Sequence, residues 1–182
     1  SCNRCKRELS PETKCAHCGG WNLMPLGIGT DTVVEEVKKV FPNFPRTKIF
    51  KLDKDSVKTG KEAKKIIKEF EQNTPAILVG TEMAFFYLKE QVPLSIIASF
   101  DSLWSIPNFK MGERIIQIIL SIVAKTSKEI IIQTKNPEDP AILAVTGENL
   151  LPFVREELAD RKQLDYPPFK RFIKITYSGS KD

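Results

Sequence analysis

The chain has 182 residues, 41% of them hydrophobic and 28% charged, which are the proportions of a soluble globular protein able to build a core. It contains no run of about 18 apolar residues, which excludes a membrane-spanning helix; its longest apolar stretch, 115–124, is interrupted by Gln117 and Ser121. A net charge of +5, from 28 Lys and Arg against 23 Asp and Glu, is compatible with a nucleic-acid partner without requiring one.

All four cysteines fall within the first 18 residues. A disulfide scaffold spreads its cysteines through the fold it staples, whereas clustered pairs read as a metal site. The pattern is Cys2-Asn-Arg-Cys5 and then Cys15-Ala-His-Cys18-Gly-Gly, with nine residues between the pairs. A two-residue gap turns both thiolates of a pair toward one ion, and glycine after the second pair permits the tight turn. Four sulfurs at Cys2, Cys5, Cys15 and Cys18 suit one zinc ion in a tetrahedron; iron in a rubredoxin-like site is the alternative, and two disulfides or free thiols are the plain one. A segment this short folds only with the metal's binding energy. His17 lies between two ligands and is expected to face solvent. Arg4, Lys6, Arg7 and Lys14 give the knuckle a basic surface as candidate DNA contacts, although a solvated face is the default for such charges. Residue 1 is Ser, and no signal peptide precedes the cysteines, so the chain reads as a fragment of a longer one.

The remaining chain reads as alternating helices and strands. Gly27-Ile28-Gly29-Thr30 leads to a helix ending near residue 41, capped by Thr30 or Asp31, with Val33, Val34, Val37 and Val40 on its apolar side. Pro42 and Pro45 end it. Residues 47–52 alternate as a strand. Thr59 and Glu62 form a capping box that opens a helix to about residue 72, with Ala63, Ile66, Ile67 and Phe70 inward. Lys58, Lys61, Lys64, Lys65 and Lys68 line its other side, the ordinary composition of a wet helix face. Residues 76–79 form a short, wholly apolar strand of the kind a parallel sheet buries on both faces. Residues 95–100 and 129–133 are two more, with helices over 81–90 and 109–126. A helix over 149–163 follows, then Tyr166-Pro167-Pro168-Phe169 and a last strand over 171–177. Strand–helix alternation predicts a parallel α/β layer structure. In the helix from 109, isoleucines, Leu120 and Val123 point almost all the way round, which predicts a helix enclosed in the domain or one that covers a partner.

Taken in order, these landmarks resemble the primosomal protein N′ family, known as PriA. The resemblance runs through Cys15-Ala-His-Cys18-Gly19, Gly27-Ile-Gly-Thr30, Val34-Glu-Glu-Val37 with Phe41-Pro42, and Lys51-Leu-Asp-Lys-Asp55. It continues through Ile77-Leu-Val-Gly-Thr-Glu-Met83, which resembles the strand entering helicase motif V, and through 101–114, similar to a segment ending in Pro-x-Phe-x-x-x-Glu-Arg. Gln133-Thr134, Asn136-Pro137, Glu156-Glu157-Leu158 with Arg161, and Tyr166-Pro-Pro-Phe169 close it. It covers essentially the whole chain, and its specificity lies in the order and spacing of the motifs.

The resemblance implies an α/β fold: a RecA-like second helicase lobe with a parallel sheet over 27–148, a zinc knuckle over 1–26, and a linking helix with the opening of a C-terminal domain over 149–182. It also implies replication restart in the cytoplasm, close to the nucleoid, on branched or forked DNA. The implied partners are a single-stranded-DNA-binding protein and other primosome proteins, and no membrane. ATP and Mg²⁺ would bind only with a first lobe, because the chain has no Gly-x-x-x-x-Gly-Lys-[Ser/Thr] of its own. Two departures from the family pattern point to a degenerate motor. After Gly80-Thr81-Glu82-Met83, Ala84-Phe-Phe-Tyr87 replaces Ala-Lys-Gly. Where the family has the motif VI arginines, the chain has Lys125 and Lys128, which keep the charge without the planar fork. Gly80, Thr81, Lys125 and Lys128 are then relics of a nucleotide site, and no catalytic residue is assigned. The family holds two metals with four cysteine pairs, and this chain has two pairs. The favoured reading is therefore a DNA-binding assembly platform that does not hydrolyse ATP by itself. The alternatives are part of an active ATP-driven helicase, and an interaction module without DNA.

Overall fold

The computed structural model describes residues 27–40, 46–105, 108–171, 173 and 175. The residues expected to form a metal knuckle, Cys2, Cys5, Cys15 and Cys18, with Arg4, Lys6, Arg7, Lys14 and His17, lie outside them. So do Pro42, Pro45 and most of the expected last strand. Of that strand's described members, Arg171, Ile173 and Ile175, none is in a strand, and Ile173 and Ile175 are exposed.

In chain order the elements are α1 (Thr30–Val40), β1 (Lys48–Leu52), α2 (Gly60–Glu71), β2 (Ala76–Gly80), α3 (Met83–Tyr87) and β3 (Val92–Ile97). A 3₁₀ turn (Asp101–Ser105) leads to α4 (Met111–Lys125), β4 (Thr126–Ile132), α5 (Pro140–Thr146) and α6 (Leu151–Gln163). Strand pairing is parallel, as the alternation requires. Lys48 pairs with Ala76 through to Leu52 with Gly80, and Val92 with Thr126 through to Ile97 with Ile132. The strands nevertheless form two separate two-stranded sheets, β1–β2 and β3–β4, and not one layer.

Each sheet has its own apolar cluster. Leu52 and Val57 pack with Ala63 and Ile67 of α2, Ala84 of α3 and Leu88. Phe100 packs with Met111, Ile115, Ile116 and Ile119 of α4, Ala141, Ile142 and Ala144 of α5, and Phe153 of α6. Phe100 and Ile115 are fully buried. Helix α2 starts where the sequence places it: the Thr59 side chain accepts from the Glu62 N–H and the Glu62 carboxylate accepts from the Thr59 N–H, a reciprocal cap.

Four element readings need correction. First, neither Thr30 nor Asp31 caps α1. Thr30 is its first residue and its hydroxyl turns to Asp53, while Val40 is exposed. Second, β3 begins at Val92, three residues before the expected strand. Pro93 lies inside the strand, which is permitted because a two-stranded sheet is all edge, where a missing N–H is tolerated, and a register shift sits between Val92 and Leu94. Third, α4 runs into β4 without a loop. The Thr126 hydroxyl bonds back to the Ile122 carbonyl at 2.7 Å and lies 2.7 Å from the Ser95 hydroxyl, so one β-branched residue ends the helix and opens the strand. Fourth, α4 is not enclosed. Met111, Ile115, Ile116, Ile119 and Ile122 are buried on one face, while Leu120 at the margin of that face and Val123 near the end of the helix are exposed. Helix α5 was missed, although its Asp139 cap, which accepts from the Ala141 N–H at 2.9 Å, and its Pro140 in the first turn are ordinary start signals.

Candidate functional site

In open parallel α/β structures, ligands bind beyond the carboxyl ends of the strands. At that end of β1–β2 lies Asp53, one of two buried charged side chains among the described residues. It follows the last residue of β1, and everything around it donates to it. The Thr30 hydroxyl donates to Oδ2, the Ser56 N–H to Oδ1 at 2.7 Å, and the Asp55 N–H to Oδ1 at 3.1 Å. The Lys51 ammonium stands 3.2 Å from Oδ2 and 2.5 Å from Asp31. Burial works to raise the Asp53 pKa, but the bonds from Thr30, Ser56 and Lys51 outweigh it and hold the carboxyl well below the usual range. Lys51 is pushed up, chiefly by its bond to Asp31. A carboxylate so fully supplied with donors is a latch, and a poor proton acceptor.

Gly80 ends β2 beside this latch. A Cβ there would lie 2.7 Å from the Leu52 carbonyl oxygen, so the last step of the β1–β2 ladder needs glycine. The next residue, Thr81, donates its N–H to the same oxygen at 3.3 Å.

The carboxyl end of β3–β4 carries a second carboxylate, Asp101. It accepts from the Lys135 N–H at 3.1 Å and from the Thr134 hydroxyl at 2.9 Å, and these donors, the Lys135 N–H first, keep its pKa low. Gly27 lies against Ser102, the residue after Asp101, closely enough that an added Cβ would be 2.8 Å from the Ser102 Cβ. The segment from Gly27 to Thr30 thus spans from the end of one sheet to the end of the other. Arg114 of α4 pairs with Glu82 at the start of α3, a second tie between the two halves.

Apart from this edge, a cleft of about 260 Å³ lies between α4 and α6. The Phe109 and Tyr166 rings stack there at 5.3 Å, and the Arg161 guanidinium lies 5.8 Å from the centre of Phe109 while reaching Glu157 at 3.3 Å and Glu113 at 3.4 Å. These contacts fasten α6 to α4.

No family model matches the chain. Curated proteins do. The chain is 32% identical over 179 residues to the replication restart protein PriA of Thermotoga maritima, covering 96% of this chain and 24% of that protein. It is 31% identical over 187 residues to that of Borreliella burgdorferi, covering 100% and 28%, and 30% identical over 186 residues to that of Chlamydia trachomatis, covering 98% and 24%. The chain belongs to the PriA family. It spans about a quarter of the length of these relatives.

Within this PriA-family chain, the residues singled out from sequence fall in different places. Gly80 and Thr81 stand at the carboxyl end of β2. Lys125 ends α4, its ammonium 3.3 Å from the Lys89 carbonyl oxygen, and Lys128 is exposed within β4. Ala84-Phe-Phe-Tyr87, where the PriA pattern has Ala-Lys-Gly, is helical in α3; Ala84 is buried and Phe86 is exposed. The Thr30–Asp53 and Arg114–Glu82 contacts were not foreseen. All four residues lie in motifs that carry the PriA resemblance, but pairs separated by 23 and 32 positions leave no periodic trace. Among the described residues, no group of three or more His, Cys, Asp or Glu side chains is placed to hold a metal ion. No helix among them is long and apolar enough to cross a membrane.

Proposed function

We propose that the chain is the knuckle and second-lobe portion of a replication-restart protein that binds branched DNA at stalled forks and serves as an assembly platform. The observation that carries this reading is the extent of the likeness: proteins named replication restart protein PriA align with 96% to 100% of the chain. Two parallel strand pairs with interleaved helices support a RecA-like lobe, and the Asp53 and Asp101 latches support a braced strand edge that would face a first lobe. The thiols of Cys2, Cys5, Cys15 and Cys18 have the number and spacing to hold one zinc ion, whose role would be to fold the knuckle. By the same reading the partners are forked DNA, a single-stranded-DNA-binding protein and other primosome proteins, in the cytoplasm near the nucleoid.

The motor is read as degenerate. Gly80 and Thr81 remain at the strand end, Lys125 and Lys128 stand where the family has arginines, and the chain carries no phosphate loop. An arginine finger contributes about 10³ to 10⁵ in rate, and an ammonium replaces it poorly at a bidentate site. ATP and Mg²⁺ would bind only together with a first lobe.

The test is binding of the purified chain to a forked duplex across a salt series, with ATP turnover measured in parallel. Salt-sensitive fork binding without turnover is expected. Fork affinity that ignores salt would count against a phosphate-led contact. Turnover by the pure chain would instead favour the active-helicase alternative.

A further inference from the structure

Helix α2 presents a charge distribution that its fold does not use. Ala63 and Ile67 are buried, with Ile66 and Phe70 half-buried, and this side faces the β1–β2 sheet. At about 100° per residue, Lys64, Lys68, Lys61 and Lys65 fall within an arc of about 100° on the opposite side, and Lys58 lies just ahead of the helix, before its extended Thr59 cap. All five are exposed.

The helix's own glutamates leave this charge largely uncompensated. Glu62 accepts from the Lys58 and Thr59 N–H groups at the helix start. Glu71 accepts from the Lys89 and Glu90 N–H groups beyond the helix end. Glu69 alone meets a lysine of the arc, Lys65, at 3.9 Å. Lys61 with Lys65 and Lys64 with Lys68 are like-charge pairs at four-residue spacing, an arrangement that weakens a helix.

We propose that this lysine face of α2 is a sequence-independent contact for the phosphate backbone of duplex nucleic acid. From Lys61 to Lys68 it extends about 10 Å along the helix, which matches the rise of about three phosphates on one strand. The arc holds neither an aromatic nor an aliphatic side chain. It therefore offers nothing to read a base edge and no apolar anchor for an acidic peptide; ammonium groups on flexible stems suit phosphates met at any register. The helix start takes no part, because the Glu62 carboxylate already fills it. The proposal rests on the DNA-binding reading above and adds to it a surface remote from the cysteine knuckle in sequence.

The experiment measures equilibrium binding of the 182-residue chain to linear and forked duplexes between about 50 and about 200 mM salt. The variant is Lys61→Gln/Lys64→Gln/Lys68→Gln, which retains good helix formers. The control, Lys38→Gln/Lys39→Gln/Lys162→Gln, removes the same charge elsewhere. Coincident thermal unfolding of the three proteins establishes that all are folded. The salt slope of the α2 variant should fall by about 2 to 3, one for each lost phosphate contact, and that of the control by less than about 1. An unchanged slope in the α2 variant overturns this inference alone. An equal drop in the control also overturns it, by reducing the effect to bulk charge. Failure of the unaltered chain to bind any duplex overturns it together with the DNA-binding reading.

Discussion

The Thr30 hydroxyl donates to the Asp53 carboxylate, joining the first residue of α1 to the end of β1 across 23 positions of sequence. This bond, with the Lys51–Asp53 and Lys51–Asp31 ion pairs, seats the start of α1 over the carboxyl edge of the first sheet. The same segment reaches the second sheet where Gly27 meets Ser102. Asp53 is therefore the hub through which the Gly-x-Gly-Thr segment is held.

The hub makes acid stability depend on Asp53. Its folded-state pKa lies below the unfolded value, so its contribution is complete above the ordinary carboxylate pKa of about 3.9 and drains away as pH falls toward the folded value. In urea unfolding, Asp53→Asn should cost about 2 kcal/mol at neutral pH. The variant should also lose less stability than the unaltered chain between about pH 5 and pH 2. Parallel acid limbs for the two proteins would show that Asp53 is not the responsible group.

Gly80→Ala places a methyl group 2.7 Å from the Leu52 carbonyl oxygen, and backbone cannot swing aside as a side chain can. A loss of about 1 to 3 kcal/mol is expected, as for overpacking elsewhere. Chemical denaturation is the direct measurement, and a neutral result would mean that β1 and β2 separate at their carboxyl ends without cost.

The Arg114–Glu82 pair should matter little for stability. Its side chains are 50% and 41% exposed, so solvent screens it and holding two long side chains costs entropy. A double-mutant cycle with Arg114→Ala and Glu82→Ala should return a coupling below about 1 kcal/mol that shrinks with added salt. A larger, salt-insensitive coupling would mark it as a buried strut between α3 and α4.

Protein purified without chelator should carry one zinc ion per chain by elemental analysis, and Cys5→Ser or Cys15→Ser should lower that figure. Thiol titration supplies the complementary readout: four reactive thiols appearing only after chelation are expected, and four free thiols with no metal beforehand would remove the knuckle from the proposal.

Local signals were legible wherever the cause was local. Thr59 and Glu62 announce α2 because both halves of the cap lie within four residues. The unbroken apolar run from Ala76 to Val79 announces a parallel strand, since β2 must pack on both sides. Helix α4 was legible as a helix but not in its surroundings: composition cannot tell that Ile115 and Ile119 are covered while Leu120 and Val123 are left exposed. The true start of β3 at Val92 was not legible: a strand containing Pro93 is tolerated only at an edge, and being at an edge is a property of the sheet.

By itself, then, the order of residues determined the alternation of strands and helices, the parallel pairing, the family and the candidate thiol set, because periodicity, capping and motif spacing act over short stretches of chain. Only the tertiary structure decided that the strands form two sheets, that Asp53 gathers Thr30, Ser56 and Lys51, and that the glutamates of α2 leave its lysines largely unanswered. Those facts depend on which distant groups share a neighbourhood, and hydrogen bonds and charge act through space rather than along the chain.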